Sequence, residues 1–185
     1  MKEIVQDGAP VLREVARPVP EETFGSAELT TLIEDMSTAL EGEPDGVALA
    51  APQVGVSWRL FIVRRDRTEP PPDAPHSGAP GKPSTLPRVL DPQVGVYINP
   101  EITKTSRKRA KADEGCLSVR NIYGTTNRHE RVTLTARLAD GSRFTRGAGG
   151  LLAQIFEHEV DHLNGVLFID GAENLVEVPP HHEHE

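Results

Sequence analysis

Residues 150–164 read Gly-Leu-Leu-Ala-Gln-Ile-Phe-Glu-His-Glu-Val-Asp-His-Leu-Asn, and their apolar spacing is that of an α-helix. His158 and His162 continue the row of side chains that begins at Leu151 and Ile155. Side chains four residues apart on a helix project in the same direction, roughly 5–6 Å from each other, which suits two imidazoles that bind one metal ion. Glu159 stands beside the first histidine and can reach a water on that metal. The pattern predicts a buried helix that serves metal-assisted hydrolysis.

A third metal ligand has to come from elsewhere in the chain. Metalloproteases with the extended form of this motif have a histidine where this chain has Phe168, so that class fails at its third ligand. The chain has one cysteine, Cys116, and a thiolate with two imidazoles leaves one position of a tetrahedral metal open. We therefore favour a catalytic metal held by Cys116, His158 and His162.

Several alternatives remain open at this point. Cys116 could be an inert buried thiol, and the histidines could simply complete hydrogen bonds in the core. A structural zinc would need a fourth protein ligand, such as Glu159 or the distant His129. Another metallohydrolase, for example a peptidase with an unusual cysteine ligand, would use the same helix.

Composition excludes other classes of protein. The chain has 185 residues, a net charge of -8 and a single cysteine. One thiol rules out a disulfide scaffold and fits a reducing compartment. No apolar run approaches the roughly 20 residues that span a bilayer, and residues 1–10 lack the apolar segment of a signal peptide. We expect a soluble cytoplasmic protein with no membrane contact and no direct nucleic-acid binding through a broad basic surface.

The remaining sequence predicts one more helix and several strands. Apolar spacing over 26–40 indicates a helix with Ser26 as its N-cap. Short β-branched and aromatic runs predict strands over 58–64 and 94–99, and alternation over 131–146 predicts a hairpin.

Half of the 16 prolines lie between residues 66 and 92. Such a segment cannot bury enough apolar surface to offset its ordering entropy, so we predict a flexible loop there. It interrupts a single domain over 1–178, and residues 179–185 are predicted to be a disordered tail.

Two further motifs complete a family pattern. Residues 46–53, Gly-Val-Ala-Leu-Ala-Ala-Pro-Gln, resemble the Gly-φ-Gly-φ-Ala-Ala-Pro-Gln segment of the peptide deformylase family. Residues 114–118 match its Glu-Gly-Cys-Leu-Ser segment, and residues 158–165 match its His-Glu-x-Asp-His-Leu-x-Gly segment. The three motifs occur in family order, so the chain is identified as similar to this family over nearly its whole length.

This resemblance implies an α+β fold in which antiparallel sheets surround a central metal-binding helix. It also implies hydrolysis of the formyl group from the N-terminal formyl-methionine of newly made polypeptides, with release of formate. Fe(II) would be the usual metal, with Zn, Ni or Co able to replace it. N-formyl-methionyl peptides would be the partners, and the substrate implies proximity to the ribosome, although the sequence shows no docking element.

The family pattern implies roles for individual residues. Those expected at the metal are Cys116, His158 and His162 as ligands, with Glu159 as the acid/base. Gln53 and the backbone N–H of Leu117 would bind the formyl oxygen. The residues expected to bind substrate are Gly46, Val47, Ala48, Leu151 and Ile155, with Val47 and Ala48 offering backbone groups.

Two positions depart from the family pattern, and a third completes an ion pair that the pattern implies. Ala48 replaces a glycine, which questions whether the backbone there needs a left-handed conformation. Glu157 replaces a glutamine and could add a carboxylate near the metal. Arg128 is expected to pair with Glu114 as a structural ion pair. A catalytically degenerate relative, which binds metal or peptide without turnover, is the alternative function.

Overall fold

The computed structural model describes residues 2–69 and 93–179. The α-helices of these residues are α1 (Ala27–Glu41), α2 (Arg65–Thr68) and α3 (Gly150–Leu163). The strands are β1 (Ala48–Ala50), β2 (Leu60–Arg64), β3 (Val94–Thr105), β4 (Arg109–Cys116), β5 (Val119–His129), β6 (Arg131–Arg137), β7 (Arg143–Gly149) and β8 (Glu173–Glu177).

The strands form two antiparallel sheets. One has five strands in the order β1-β2-β3-β6-β7, and the other has three in the order β4-β5-β8. The central helix α3 contacts β1, β3, β6 and β7 of the first sheet and β5 of the second. The predicted α+β class, with antiparallel sheets around a metal-binding helix, is confirmed.

The five-stranded sheet is covered by a helix on each face. Along β2, Leu60 and Ile62 pack with α1, while Phe61 and Val63 pack with α3. Successive strand residues point to opposite faces, so a strand covered on both sides has to be apolar throughout. This explains the uninterrupted Leu-Phe-Ile-Val run, and it fixes α3 against the sheet.

Two glycines set the ends of α3. Gly150 has φ 56 where β7 turns into the helix, and Gly165 has φ 73 just beyond its last turn. A Cβ at Gly165 would lie 2.6 Å from the carbonyl oxygen of Arg13. Only glycine therefore fits where the N-terminal segment crosses the helix end.

Several predicted elements differ in extent from the structure. The predicted helix over 26–40 is α1, and Ser26 is its N-cap, since its Oγ accepts a hydrogen bond from the N–H of Leu29 at 3.2 Å. The strand predicted over 94–99 continues to Thr105 as β3. The loop predicted over 66–92 begins within α2, so its first residues are helical. Residues 70–92 and 180–185, which hold most of that loop and of the predicted tail, lie outside the described residues.

Candidate metal centre and active site

The three predicted metal ligands meet between α3 and the end of β4. Ligand atoms of Cys116, His158 and His162 all lie within 4.8 Å of one another, and Cys116 Sγ is 3.2 Å from His162 Nε2. The two histidines come together because they are one helical turn apart on α3. Cys116 reaches them because the register between β4 and β5 shifts between Gly115 and Cys116. One thiol and two imidazoles on a common point form the donor set of an open, catalytic metal site.

Orphaned polar atoms support the fit of a metal here. Within residues 2–69 and 93–179, Glu159 Oε2 and His162 Nδ1 are buried without a hydrogen-bond partner. A buried polar atom without a partner is costly, so Glu159 Oε2 marks a place where a further group completes the site, whereas His162 Nδ1 is the ring nitrogen that does not face Cys116. His158 Nδ1 lies 2.9 Å from Glu114 Oε2, which leaves its Nε2 for a metal. These residues fit a divalent ion.

The ring of His158 is held by a buried ion pair between the Glu114 carboxylate and the Arg128 guanidinium. Arg128 donates from Nε and Nη2 to the two oxygens of Glu114 at 2.6 and 2.9 Å, and from Nη1 to Asp161 at 2.7 Å. Burial opposes ionisation of Glu114, but hydrogen bonds from Arg128 and His158 lower its pKa to about 2. The expected Glu114–Arg128 ion pair is confirmed. Asp161 accepts the third hydrogen bond of Arg128.

Glu159 is a buried carboxyl group with a raised pKa. Its side chain is 3% exposed, and burial raises its pKa from 4.5 to about 7, against the opposing charge of His158. A carboxyl group whose pKa lies near the working pH can both accept and return a proton. It follows the ligand His158 on α3, and both side chains line the same cavity.

Gln53 points its amide nitrogen at the cysteine. The turn over Ala51–Val54 carries it, and its Oε1 accepts a hydrogen bond from the N–H of Ala50 at 2.9 Å. Because that partner is a donor, the oxygen is fixed there and the NH₂ faces the site. Gln53 Nε2 donates to Ser118 Oγ at 3.1 Å and lies 3.6 Å from Cys116 Sγ. Ser118 is fully buried, and sequence reasoning missed it because the contact of its hydroxyl with Gln53 is nonlocal.

These residues open onto one cavity of about 500 Å³. All five residues predicted to bind substrate line it: Gly46, Val47, Ala48, Leu151 and Ile155. It is also lined by Gln53, Cys116, Leu117, His158 and Glu159. The remaining predicted site residue, His162, does not line the cavity and is 1% exposed. Leu151 is the first residue of the apolar row on α3, but it is 53% exposed, whereas Ile155 in the same row is buried. The cavity therefore has an open apolar wall on α3.

Ala48 and Glu157, the two positions that depart from the family pattern, have different surroundings. Ala48 has an ordinary strand conformation and pairs with Val63, so this position does not need a glycine. Gly46 does need one, because a Cβ there would lie 2.8 Å from Leu40 Cδ1. The possibility that Glu157 adds a carboxylate at the metal is wrong.

Glu157 instead faces away from the metal ligands. Its carboxylate accepts from the N–H of His129 at 2.8 Å and lies 2.5 Å from that residue's Nδ1. His129 is thus engaged elsewhere and is not part of the ligand cluster. The alternative of a structural zinc closed by His129 is therefore wrong.

Comparisons with known proteins agree with this geometry. The family model described as Polypeptide deformylase matches residues 1–177. A peptide deformylase from Symbiobacterium thermophilum is 38% identical over 183 residues, which cover 99% of this chain and 72% of the relative. One from Carboxydothermus hydrogenoformans is 35% identical over 175 residues, 94% of each chain.

Solved structures of similar proteins share the fold. The actinonin-bound crystal structure of a class I type b peptide deformylase from Acinetobacter baumannii matches with a TM-score of 0.76 and 29% identity, over 94% of this chain and 99% of that one. The same enzyme bound to Met-Ala-Ser matches with a TM-score of 0.74 and 33% identity, over 92% and 98%. The described residues contain no helix long and apolar enough to cross a membrane.

Proposed function

The chain belongs to the peptide deformylase family, a family of metal-dependent hydrolases, and we propose that it removes the formyl group from the N-terminal formyl-methionine of newly made polypeptides. One observation carries this proposal. Cys116 and His158, which form a cluster with the buried His162, line the same cavity as the buried carboxyl of Glu159. The products would be formate and a free N-terminal amine.

Cys116, His158 and His162 would hold the metal. When bound, a divalent ion supplies a Lewis acid and lowers the pKa of a water from about 15.7 toward about 7. We propose Fe(II), with Zn, Ni or Co able to replace it, since thiolate and imidazole donors suit all of these ions. Glu114 orients His158 for this task by holding its Nδ1.

Glu159 would move the proton. A carboxyl with a pKa of about 7 takes the proton of the attacking water and then gives it to the departing nitrogen. The second transfer is needed because the carbon–nitrogen bond breaks readily only when an amine, not an amide anion, leaves. The orphaned Glu159 Oε2 supports this role, because it is free for a water or a substrate group within the described residues.

Gln53 and the backbone N–H of Leu117 would bind the formyl oxygen as charge develops on it. The Gln53 amide is preorganised, because Ala50 and Ser118 hold its two ends. A fixed donor of this kind contributes roughly 10²- to 10³-fold in rate. Leu117 follows Cys116 in the turn between β4 and β5, so its N–H lies next to the ligand.

The peptide would dock along the open edge of β1. This strand ends its sheet and pairs only with β2 among the described strands. The Val47 carbonyl accepts from the N–H of Arg64 at 2.8 Å, so that group is already used. Backbone groups alternate in direction along a strand, so those of Ala48 face away from β2 and can bind peptide main chain. The Acinetobacter baumannii relative was solved with Met-Ala-Ser bound, which supports the binding of a short peptide here.

The methionine side chain would enter the apolar part of the cavity. Gly46, Val47, Leu151 and Ile155 line that part. A Cβ at Gly46 would lie 2.8 Å from Leu40 Cδ1, so a larger residue does not fit there unless Leu40 shifts. Main-chain docking beside one side-chain pocket gives selection for methionine and tolerance of the residues that follow.

We also propose that the enzyme acts in the cytoplasm near the ribosome. A lone cysteine that binds metal fits a reducing compartment. A tomato relative that is 36% identical over 170 residues is named chloroplastic, which is another compartment in which proteins are made.

Formate release from formyl-Met-Ala-Ser tests the proposed function. We expect turnover by the metal-loaded protein and loss of at least 10²-fold in Glu159→Ala. Glu157→Gln is the matched control, because this neighbouring carboxylate on α3 faces away from the centre. Stoichiometric metal binding without formate release would instead establish the degenerate relative.

A further inference from the structure

Arg120 and Glu43 form an ion pair that spans the cavity at its rim. Arg120 donates from Nη1 and Nη2 to the two carboxylate oxygens of Glu43 at 3.0 and 2.7 Å. Both residues line the cavity, and the Arg120 side chain is 47% exposed. Glu43 lies between α1 and β1, shortly before Gly46, whereas Arg120 is in β5, shortly after Cys116. The pair therefore ties the wall beside the open edge of β1 to the wall that carries the cysteine ligand.

The pair holds both side chains in one orientation. Two parallel N–H···O bonds between a guanidinium and a carboxylate fix their relative planes. The backbone of Glu43 is also fixed, since its carbonyl accepts from the N–H of Gly46 at 3.0 Å and its N–H donates to Leu40 at 3.1 Å. The hydrogen bond lowers the pKa of Glu43 and raises the pKa of Arg120, so both are charged at neutral pH. A partly exposed ion pair adds little stability, so stability alone does not account for this position.

Arg120 retains donors that a ligand can use. A guanidinium has five N–H groups, and the pair with Glu43 engages two of them. The Arg120 guanidinium makes no other hydrogen bond within the part of the chain that the structure describes. Peptide carbonyls are the acceptors that a docked main chain would bring to these groups.

The path of a docked peptide leads to this pair. Its reacting end lies by Gln53 and Cys116, and an extended chain advances about 3.3 Å per residue. A peptide that extends from the metal site along the open edge of β1 would pass Ala48 and Val47 and then reach Glu43. The second and third residues of the substrate are therefore the ones that come to the ion pair.

We propose that the Glu43–Arg120 pair determines specificity for peptide length: Arg120 binds the main-chain carbonyls of the residues that follow the formyl-methionine. The inference rests on the proposed function, because it uses the docking mode given there. Glu43 has two effects in this arrangement. It aims the guanidinium into the groove, and it neutralises the positive charge, so that acidic side chains gain no advantage.

Steady-state kinetics with peptides of increasing length test the proposal. The substrates are formyl-Met amide, formyl-Met-Ala and formyl-Met-Ala-Ser, each with an amidated C-terminus so that no free carboxylate binds Arg120. We expect Arg120→Ala to lower kcat/KM about tenfold for the longest peptide, mainly through KM, and less than twofold for formyl-Met amide. Lys111→Ala is the matched control, because it breaks the exposed pair with Glu173 on another face and should change neither value.

Glu43→Gln gives a second and independent readout. It keeps the shape of residue 43 and releases the charge of Arg120. We expect it to favour formyl-Met-Ala-Asp over formyl-Met-Ala-Ser by about fivefold, whereas the wild-type enzyme shows no such preference. Equal losses by Arg120→Ala on all three peptides, or an unchanged response to Asp in Glu43→Gln, would overturn the proposal.

Calorimetry separates this proposal from the function on which it rests. The product peptides Met amide and Met-Ala-Ser amide are titrated into the metal-loaded wild-type protein and Arg120→Ala. We expect the variant to lose about tenfold in affinity for the longer product only. That result supports the proposal even if the wild-type protein releases no formate, an outcome that would refute the proposed function alone. Equal affinities of both proteins for Met-Ala-Ser amide would overturn the role of Arg120.

Discussion

Removal of the Arg128 side chain should expose the energetic cost of the buried Glu114 carboxylate. The Glu114 side chain is 3% exposed and Arg128 donates two hydrogen bonds to it. The lowering of its pKa from 4.5 to about 2 corresponds to about 3 kcal/mol of interaction in favour of the carboxylate. Loss of one partner of a buried pair typically costs about 3–5 kcal/mol, because the other charge stays buried. Arg128→Met should therefore lower the free energy of unfolding by about 3 kcal/mol.

A double-mutant cycle measures this cost. At about 2–4 °C per kcal/mol for a chain of this size, Tm of Arg128→Met should fall by about 6–12 °C, as followed by calorimetry. Glu114→Gln removes the charge, so the double variant should regain most of the lost stability. Metal affinity should fall about 10- to 100-fold in Arg128→Met, because Glu114 no longer holds His158 in place. A loss below about 1 kcal/mol, or a double variant no more stable than Arg128→Met, would refute this reasoning.

Three more expectations follow from the site and its surroundings. Gln53→Ala should lower kcat for formate release by roughly 10²- to 10³-fold with little change in KM, and a loss below threefold would remove Gln53 from the site's chemistry. Gly46→Ala should cost about 1–3 kcal/mol in urea unfolding, because its Cβ would lie 2.8 Å from Leu40, and full stability would show that this wall can move. The hydrogen bond from Arg13 lowers the pKa of Asp170, so its stabilising effect is present above the usual pKa near 3.8 and is lost as the pH falls below it. Asp170→Asn should therefore destabilise the protein at pH 7 and progressively less as the pH falls below 3.8, and an effect that does not change with pH would contradict this cause.

The parts of the fold that the sequence predicts best are set by local periodicity. Helix α3 buries one row of side chains, so a spacing of three and four residues reveals it, and the paired histidines with it. The hairpin of β6 and β7 shows in the same way, because Val132, Leu134 and Ala136 alternate with exposed or half-exposed residues. The ion pair of Glu114 and Arg128 was expected only from the family pattern, since the two residues stand 14 positions apart.

The parts that the sequence does not predict depend on contacts between distant segments. Leu151 begins an apolar row, yet it is 53% exposed and lines the open cavity instead of packing in the core. Ser118 and Gln53 are joined across 65 positions, and Arg120 and Glu43 across 77. No periodicity signals such pairs, because neither partner changes the local pattern.

Metal titration of the stripped protein tests the central claim most directly. Co(II) is added in steps while the thiolate charge-transfer absorbance and formate release from formyl-Met-Ala-Ser are followed on the same samples. The account predicts that both signals rise together and level off at one ion per chain, and that Cys116→Ser abolishes both. Formate release by the metal-free protein, or activity that is unchanged in Cys116→Ser, would contradict the assignment of Cys116, His158 and His162 as the catalytic metal site.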